Sequence, residues 1–429
     1  MRIFNFYDQK FKKEISEIIN RKHKIPEEVK EKVEEILAEV YKKGNRAISH
    51  YTKVFDGISL ATTDFEISRK RWPHIISSID NSIIQSFEKA AERIRRFHEH
   101  QKEKGFIDTE QGIITGQFLK PLERVGIYVP GGKAIYPSTV LMNAIPAKVA
   151  GVKEIIMVTP PRAKGIDPCL ILAASISGVN RLFQIGGVQA IAALAYGTAT
   201  IPKVDKIVGP GNIYVAAAKE AVFGEVDIDS IAGPTEILII SDDKSDPDFV
   251  AVDLISQAEH DEDAYPWLIT TSSSFAKDVV NSVEKHLKGS KRKSIVKSSL
   301  KNHGMVVIVP DISTAIELAN EIAPEHLELL VDEPFLYIDS IKNAGTIFIG
   351  QYTPEAIGDY IAGANHVLPT SGTARFFSPL GVYDFVKRVN FIYFSKDALK
   401  QDGEDVIRMA TIEKLDGHAK AISERIKKG

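Results

Sequence analysis

Short runs of β-branched residues alternate with segments of helical apolar spacing after Arg124, and this alternation restricts the possible folds more than any other feature. The runs that we predict as strands are 125–129, 154–159, 182–185, 206–208, 236–241, 267–270, 305–309 and 346–349. The segments that we predict as helices are 139–150, 169–177, 189–196, 213–222, 247–259, 275–287 and 313–322. Strands that alternate with helices form parallel sheets, because each helix returns the chain to the same edge of the sheet. We therefore predict an α/β fold with two doubly wound, incomplete Rossmann-like parallel-sheet domains and small N-terminal and C-terminal extensions.

The charge balance and the cysteine content exclude several classes of protein. The 429 residues include 54 basic and 57 acidic side chains, and a net charge of -3 attracts neither nucleic acid nor an anionic membrane. Apolar stretches such as 236–241 are too short to span a bilayer, and the first residues lack a long apolar signal core. The single cysteine, Cys169, excludes an intrachain disulfide and a cysteine-based zinc cluster. We expect a cytoplasmic protein whose partners are small molecules or its own copies.

Three glycine-rich turns follow predicted strands, at 129–132, 185–189 and 208–212. At the carboxyl ends of parallel strands, such turns let backbone N–H groups approach a phosphate. None of the three has the GxGxxG spacing of the usual dinucleotide site, and any one of them alone is more typical of a tight turn. Three such turns in one α/β unit together favour nucleotide binding.

Gln257 and His260 lie three positions apart in a predicted helix, so both side chains should project from one face and could bind one metal ion. Glutamine is a rare zinc ligand, and the usual spacings of histidine and cysteine ligands are missing. The spacing alone therefore favours a pair of surface side chains over a metal site.

Glu325 and His326 place a carboxylate next to an imidazole, directly after a proline that restricts the local backbone. Both groups can transfer protons near neutral pH if their pKa values are suitably shifted. Asp359 is a carboxylate that follows a glycine, shortly before a second histidine-containing segment. Glu413 and His418 lie in a charged helical tail, where simple solvation is the usual state of such side chains.

Several segments resemble those of the histidinol dehydrogenase family, in the same order along the chain. The most diagnostic is 228–241, which continues to the helical segment 256–260. The others are 124–132, 209–212, 323–327, 358–360 and 365–370. The resemblance implies an NAD-dependent, four-electron oxidation of L-histidinol through L-histidinal to L-histidine, the last step of histidine biosynthesis.

The same resemblance implies roles for individual residues. One zinc ion would be bound by Gln257, His260, Asp359 and His418, with His418 supplied by the partner chain of a homodimer. NAD would contact Tyr128, Gln189 and Asn212. The four zinc ligands would also bind the substrate, together with three further residues: Thr235, His326 and Glu413. Zinc has no redox chemistry, so the ion would orient the substrate rather than carry electrons.

The two chemical steps suggest separate functions for the Glu-His pair. Alcohol oxidation needs a base for the hydroxyl proton, which suits His326, whereas the aldehyde must be hydrated, so Glu325 is the candidate base for water. Cys169 could in principle attack an aldehyde, but its apolar helical surroundings favour a packing function.

We divide the chain into four parts. Residues 1–24 would form the N-terminal extension, and residues 25–120 with 236–370 would form a domain that carries the metal and catalytic residues. Residues 121–235 would form the NAD-binding domain. Residues 371–429 would form the C-terminal extension, packed on the partner subunit.

Two alternatives remain open. A related zinc- and NAD-dependent dehydrogenase could act on another hydroxy compound, although Thr235 and Glu413 favour histidinol because they would meet its polar groups. A metal-stabilised binding protein without turnover would not need Glu325 and His326 side by side.

Overall fold

The computed structural model describes residues 1–21, 25–131, 135–231 and 233–428. Its strands are β1 Arg2–Asn5, β2 Phe106–Glu110, β3 Ile113–Pro121, β4 Arg124–Tyr128, β5 Glu154–Val158, β6 Arg181–Phe183, β7 Lys206–Val208, β8 Asp227–Ile228, β9 Glu236–Ser241, β10 Tyr265–Thr270, β11 Met305–Ile308, β12 His326–Leu330, β13 Thr346–Ile349 and β14 Val386–Phe394. Its α-helices are α1 Gln9–Ile19, α2 Glu27–Lys43, α3 Asn45–Asp56, α4 Trp72–Ile76, α5 Asn81–Glu99, α6 Pro137–Ala150, α7 Pro168–Ser177, α8 Gly187–Tyr196, α9 Ile213–Val222, α10 Pro247–Ala258, α11 Ser273–Leu287, α12 Lys293–Asn302, α13 Ile312–Ile322, α14 Glu355–Tyr360, α15 Lys396–Ile412 and α16 Asp416–Lys428. Each strand and helix predicted from the alternation overlaps one of these elements. Gly132 and Ala232, which belong to sequence segments discussed above, lie outside the described residues.

A six-stranded parallel sheet has the order β1-β11-β10-β9-β12-β13. Strand β9 lies near its centre and every residue of the strand is buried. Ile237 and Ile239 face a core with α10 and α11, whereas Leu238 and Ile240 face a second core with α1 and α13. Because successive side chains of a strand point to opposite faces, a strand covered on both sides is apolar throughout.

A five-stranded parallel sheet has the order β6-β5-β4-β7-β8. Helices α2, α3, α8 and α9 cover one face, and α5, α6 and α7 cover the other. The chain starts at the central strand β4, builds one side through β5 and β6, and then crosses to the other side with β7 and β8. The predicted α/β architecture with two doubly wound parallel sheets is confirmed.

The packing of the N-terminal half differs from the division of the chain made above. Residues 25–120 were grouped with the six-stranded sheet, but α2, α3 and α5 pack on the five-stranded sheet. We predict residues 1–24 as an extension, whereas β1 is the edge strand of the six-stranded sheet, with Ile3 opposite Val306. An amphipathic stripe requires an apolar partner but does not specify which sheet provides it.

A small antiparallel sheet, β14-β3-β2, connects the C-terminal segment to the rest of the chain. Strand β14 pairs with β3 along its whole length, from Val386 opposite Pro121 to Phe394 opposite Ile113. Helices α15 and α16 then pack on each other as a hairpin. All side chains of α16 are exposed or partly exposed, so this hairpin has an uncovered face.

The described part of the chain contains no helix that is both long enough and apolar enough to cross a membrane.

Candidate active site

A cavity of about 410 Å³ lies between the two parallel sheets. Its walls come from the loops that follow β4 and β7, which leave the carboxyl edge of the five-stranded sheet. Because the chain order reverses between β4 and β7, this edge is the position where doubly wound sheets bind ligands. The opposite wall comes from the amino ends of β9 and β12, where Thr235, Glu325 and His326 lie. The cavity therefore joins a typical ligand edge to a cluster of polar side chains.

Glu325 is buried immediately before β12, with its carboxylate directed at β9. Its Oε2 accepts hydrogen bonds from Thr235 Oγ1 at 2.7 Å and from the Glu236 backbone N–H at 2.8 Å. Burial raises the pKa of Glu325 to about 8, against the effect of these two hydrogen bonds. The group can therefore exchange a proton near neutral pH.

His326 is buried beside it as the first residue of β12. Its Nδ1 lies 2.8 Å from the Glu236 carbonyl oxygen, which can only accept, so Nδ1 carries the proton. Burial lowers the pKa of His326, which favours the neutral ring. The remaining nitrogen, Nε2, therefore has a free lone pair, as a general base requires.

Gln257, His260 and Asp359 all line the cavity. Helix α10 ends at Ala258, so Gln257 lies in its last turn and His260 two residues beyond its end, and both residues line the same cavity. Gln257 is buried, so the surface location favoured by spacing alone is wrong for this residue. Its Nε2 contacts Thr235 Oγ1, whereas its Oε1 is buried without a hydrogen-bond partner among the described residues.

Asp359 lies in α14 and is held by His366, whose Nδ1 is 3.3 Å from Asp359 Oδ1. Burial acts to raise the pKa of Asp359, but the hydrogen bond from His366 and the electrostatic influence of the nearby His366, His326 and His260 outweigh it and lower the pKa to about 2. The carboxylate is therefore ionised at neutral pH and can serve as an anionic ligand.

Glu355 is a site residue that the sequence analysis missed. It is buried on α14 one turn before Asp359, and its Oε1 lies 3.7 Å from His326 Nε2. Ligand atoms of Glu355, His326 and Asp359 lie within 4.8 Å of one another. Burial raises the pKa of Glu355 to about 9. Glu355 and Asp359 are four positions apart, a spacing that places two residues on the same face of a helix. This spacing could have identified Glu355 from the sequence.

The three residues expected to contact NAD lie at the carboxyl edge of the five-stranded sheet. Asn212 lines the cavity and caps α9, with its Oδ1 accepting from the Tyr214 and Val215 backbone N–H groups. Tyr128 ends β4, and its hydroxyl accepts a hydrogen bond of 3.1 Å from the Gly187 N–H. Gln189 is buried close by, and neither its Oε1 nor its Nε2 has a partner among the described residues.

Glu413 and His418 do not reach this cavity. Glu413 follows the end of α15 and His418 lies in the first turn of α16, and both are exposed. Neither contributes to the wall of the cavity within the described residues. The chain on its own therefore brings together Gln257, His260 and Asp359, but not His418.

Cys169 lies in the first turn of α7 and is not among the described residues that line the cavity. Its backbone N–H donates to Asp167 Oδ1 at 2.8 Å. Burial, with the nearby Asp167 carboxylate, raises the pKa of the Cys169 thiol. A thiolate nucleophile is therefore disfavoured at this position.

Comparisons with known proteins agree with this arrangement. The family model for histidinol dehydrogenase matches residues 19–426. The histidinol dehydrogenase of Syntrophotalea carbinolica is 49% identical over 428 residues, which cover 100% of this chain and 99% of that protein. The enzyme of the same name from Lactiplantibacillus plantarum is 51% identical over 398 residues, 92% of each chain.

One solved structure aligns over almost the whole molecule. The crystal structure of histidinol dehydrogenase from Elizabethkingia anophelis has a TM-score of 0.93 and 37% sequence identity, covering 100% of this chain and 98% of that one. The sequence and structural matches extend across both parallel sheets and the C-terminal segment. The chain belongs to the histidinol dehydrogenase family.

Proposed function

We propose that this chain oxidises L-histidinol to L-histidine through L-histidinal, using two molecules of NAD, in the last step of histidine biosynthesis. The observation that carries the proposal is the buried pair Glu325 and His326 at a cavity that also contains Gln257, His260 and Asp359. The overall reaction takes up one water and two NAD⁺ per alcohol, and it yields a carboxylate, two NADH and three protons. It therefore needs one group that accepts the hydroxyl proton and one that activates water.

The first oxidation would use His326. Its Nδ1 proton is held by the Glu236 carbonyl, so Nε2 can take the substrate hydroxyl proton while a hydride leaves the adjacent carbon for NAD. Because burial lowers the pKa of His326, the ring starts neutral. The product of this step is the aldehyde.

The second oxidation would use Glu325. The aldehyde has no second hydride to give until water adds to its carbon, and Glu325 would take a proton from that water. Its pKa of about 8 suits a base that must also release the proton again. The hydrate then loses a hydride to the second NAD and leaves as the carboxylate.

The residues at the cavity fit one zinc ion held by Gln257, His260 and Asp359, with His418 from the partner chain as the fourth ligand. The unpartnered Oε1 of Gln257 is the observation that supports the fit, because a buried amide oxygen normally has a donor or a cation. When bound, zinc supplies a fixed charge that orients the substrate nitrogens. His326 and Glu355 also approach Asp359, but His326 is needed as the base.

Tyr128, Gln189 and Asn212 are proposed to contact NAD. The buried Oε1 and Nε2 of Gln189 have no hydrogen-bond partner among the described residues, which supports a contact with a ligand there. Thr235 and Glu413 are proposed to bind the substrate together with the zinc ligands and His326. Thr235 Oγ1 already lies between Glu325 and Gln257.

The enzyme is proposed to act as a homodimer in which Glu413 and His418 complete the site of the partner subunit. The α15–α16 hairpin exposes apolar side chains, with Met409 66% and Ile412 81% exposed, which is typical of a surface that another chain covers. A cytoplasmic location is proposed because a single cysteine suits a reducing compartment.

The absorbance of NADH with L-histidinol as the substrate tests the proposed reaction. We expect two NADH per histidinol consumed, and about one zinc per chain by metal analysis of the purified protein. NADH formation with another hydroxy compound, and none with histidinol, would show that the substrate assignment is wrong. NADH formation with neither would favour a binding protein.

A further inference from the structure

We infer that the ion pair between Arg21 and Glu236 positions both Glu325 and His326 for the reaction. This inference rests on the proposed function, because it takes these two residues as the catalytic bases. Neither Arg21 nor Glu236 is expected to touch the substrate, so both are positioning residues.

The ion pair is bidentate and almost fully enclosed. Arg21 Nε donates to Glu236 Oε1 at 2.7 Å and Nη2 donates to Oε2 at 2.6 Å, with the side chains 7% and 0% exposed. Nη1 donates to the carbonyl oxygens of Ile18 and Ile322, at 2.7 and 3.0 Å. A guanidinium group with this fork geometry fixes both the position and the rotation of a carboxylate.

Glu236 in turn contacts both catalytic residues. Its Oε2 accepts from the Glu325 backbone N–H at 3.3 Å, and its own backbone N–H donates to Glu325 Oε2 at 2.8 Å. Its carbonyl oxygen accepts from His326 Nδ1 at 2.8 Å. Its Oε1 also accepts from the Ser371 N–H at 2.9 Å. One residue therefore fixes the Glu325 backbone, the Glu325 carboxylate and the protonated nitrogen of His326.

Arg21 is the cation that pairs with the buried carboxylate of Glu236. A buried carboxylate without a paired cation is strongly disfavoured, so the position of the Glu236 side chain depends on Arg21. Without Arg21, this side chain would leave its present position. The hydrogen bond that its Oε2 accepts from the Glu325 backbone N–H would then be lost.

The pair also gives the N-terminal segment a function at the site. Arg21 is separated from Glu236 by 215 positions in sequence, and its guanidinium lies 5.1 Å from the Trp267 ring centroid in the six-stranded sheet. Helix α1, which precedes Arg21, is anchored in the same core by Phe11 and Ile18. The segment before residue 22 is therefore packed so as to present one arginine to the start of β9.

The test is Arg21→Met, with Arg2→Met as the matched control. Arg2 belongs to the same N-terminal segment and pairs with Glu14 at 2.6 Å, but its side chain is 40% exposed and outside the cavity wall. We expect Arg21→Met to lower kcat for aldehyde oxidation by roughly tenfold or more, with the KM for histidinal changed less than about threefold. Arg2→Met should match the wild-type enzyme. Arg21→Lys should recover part of the loss, because lysine restores the charge but not the fork.

A double-mutant cycle with Glu325→Gln separates positioning from general destabilisation. If Arg21 acts through Glu325, Arg21→Met should add little to the loss already caused by Glu325→Gln. Independent losses that multiply, or an Arg21→Met enzyme as active as Arg2→Met, would overturn the inference. Should Arg21→Met not fold, Arg21→Lys takes its place in the cycle, and wild-type turnover by folded Arg21→Lys would overturn it. A wild-type chain that forms no NADH with histidinol would instead overturn the proposed function, and this inference with it.

Discussion

Two adjacent side chains, Glu325 and His326, respond in opposite directions to the same burial. Removal from water disfavours the charged form of each group, so the pKa of Glu325 rises to about 8 and the pKa of His326 falls. The acid thereby becomes a stronger base and the imidazole stays neutral. Glu325 can then gain and lose a proton near neutral pH, and the neutral ring of His326 can accept one, as two successive oxidations require.

The division of labour between these bases predicts different responses of the two steps. Glu325→Gln should slow oxidation of histidinal by roughly 100-fold or more, because the amide cannot activate water, and should slow histidinol oxidation much less. His326→Asn, as the comparison, should slow the oxidation of the alcohol. Assays with the alcohol and the aldehyde as separate substrates measure both effects. Equal losses on the two substrates for Glu325→Gln would reject the assignment.

Asp56 lies at the end of α3, outside the cavity wall, and burial shifts the pKa of its side chain. Its Oδ2 is buried without a partner among the described residues, and burial raises its pKa to about 6. Below pH 3.8, the usual pKa of such a group, it is protonated in both the folded and the unfolded chain. As the pH rises from 3.8 to about 6, the free energy of unfolding decreases. The reason is that Asp56 ionises readily in the unfolded chain, whereas burial disfavours its carboxylate in the folded protein.

Asp56→Asn should therefore stabilise the protein at pH 7 by about 1 to 3 kcal/mol, because it removes a charge that the folded state disfavours. The gain should shrink as the pH falls and disappear near pH 4. Urea unfolding of the variant and the wild type across this range measures it. A gain that did not change with pH would mean that the charge of Asp56 is not the cause.

At the scale of single elements, the turn after β7 is a tightly constrained part of the ligand edge. Gly209 has a φ of +109°, and a Cβ atom there would lie 2.2 Å from the Tyr128 carbonyl oxygen on the neighbouring strand β4. Its N–H donates to Asp229 Oδ2 at 2.7 Å, and its carbonyl accepts from Lys219 Nζ at 3.0 Å. Only glycine permits both this φ angle and this close approach.

Gly209→Ala should therefore destabilise the protein by about 3 kcal/mol or more, since it adds a backbone clash to an unfavourable φ angle. Gly224→Ala is the matched control, because Gly224 has a φ of +99° but open space around its Cβ position. The control should lose only about 1 to 2 kcal/mol. Chemical denaturation of the two variants compares them, and equal losses would contradict the proposed effect of the clash.

At the scale of the whole molecule, one chain does not complete the proposed ligand set. Gln257, His260 and Asp359 line the cavity, whereas His418 lies on the exposed hairpin of α15 and α16. A second chain whose hairpin covers the cavity would supply the missing imidazole. The site would then depend on the assembly as well as on the fold.

Mixed dimers test this arrangement. His260→Ala and His418→Ala chains should each be inactive alone, because every site lacks one ligand. Refolded together in equal amounts, about half of the dimers are mixed, and one of the two sites in each mixed dimer has both histidines. Roughly a quarter of wild-type activity should return. If His418 served its own chain, no site in the mixture would be complete and no activity would return.

Much of this architecture could be predicted from local sequence patterns. The apolar run of β9 predicts a strand buried on both faces, because its side chains alternate between two cores. The alternation of strands and helices predicts parallel sheets, and both are present. Sequence motifs around Gln257, Glu325 and Asp359 marked these polar residues as candidates for a functional site, and the fold brings all three to one cavity. These features are local, since each depends on neighbouring residues or on a short motif.

Other features were decided only by the tertiary structure. Apolar residues recur every three or four positions in α2, from Val29 to Val40, and predict a buried helix face. Only the packing shows that this face lies on the five-stranded sheet. Strand β14 pairs with β3, more than 260 positions away, a pairing that neither strand specifies alone. Arg21 and Glu236 are unremarkable charges in the sequence, and they become a buried ion pair because two distant segments meet at the start of β9. Periodicity determines which residues must be buried, whereas shape and charge complementarity between distant segments determine what buries them.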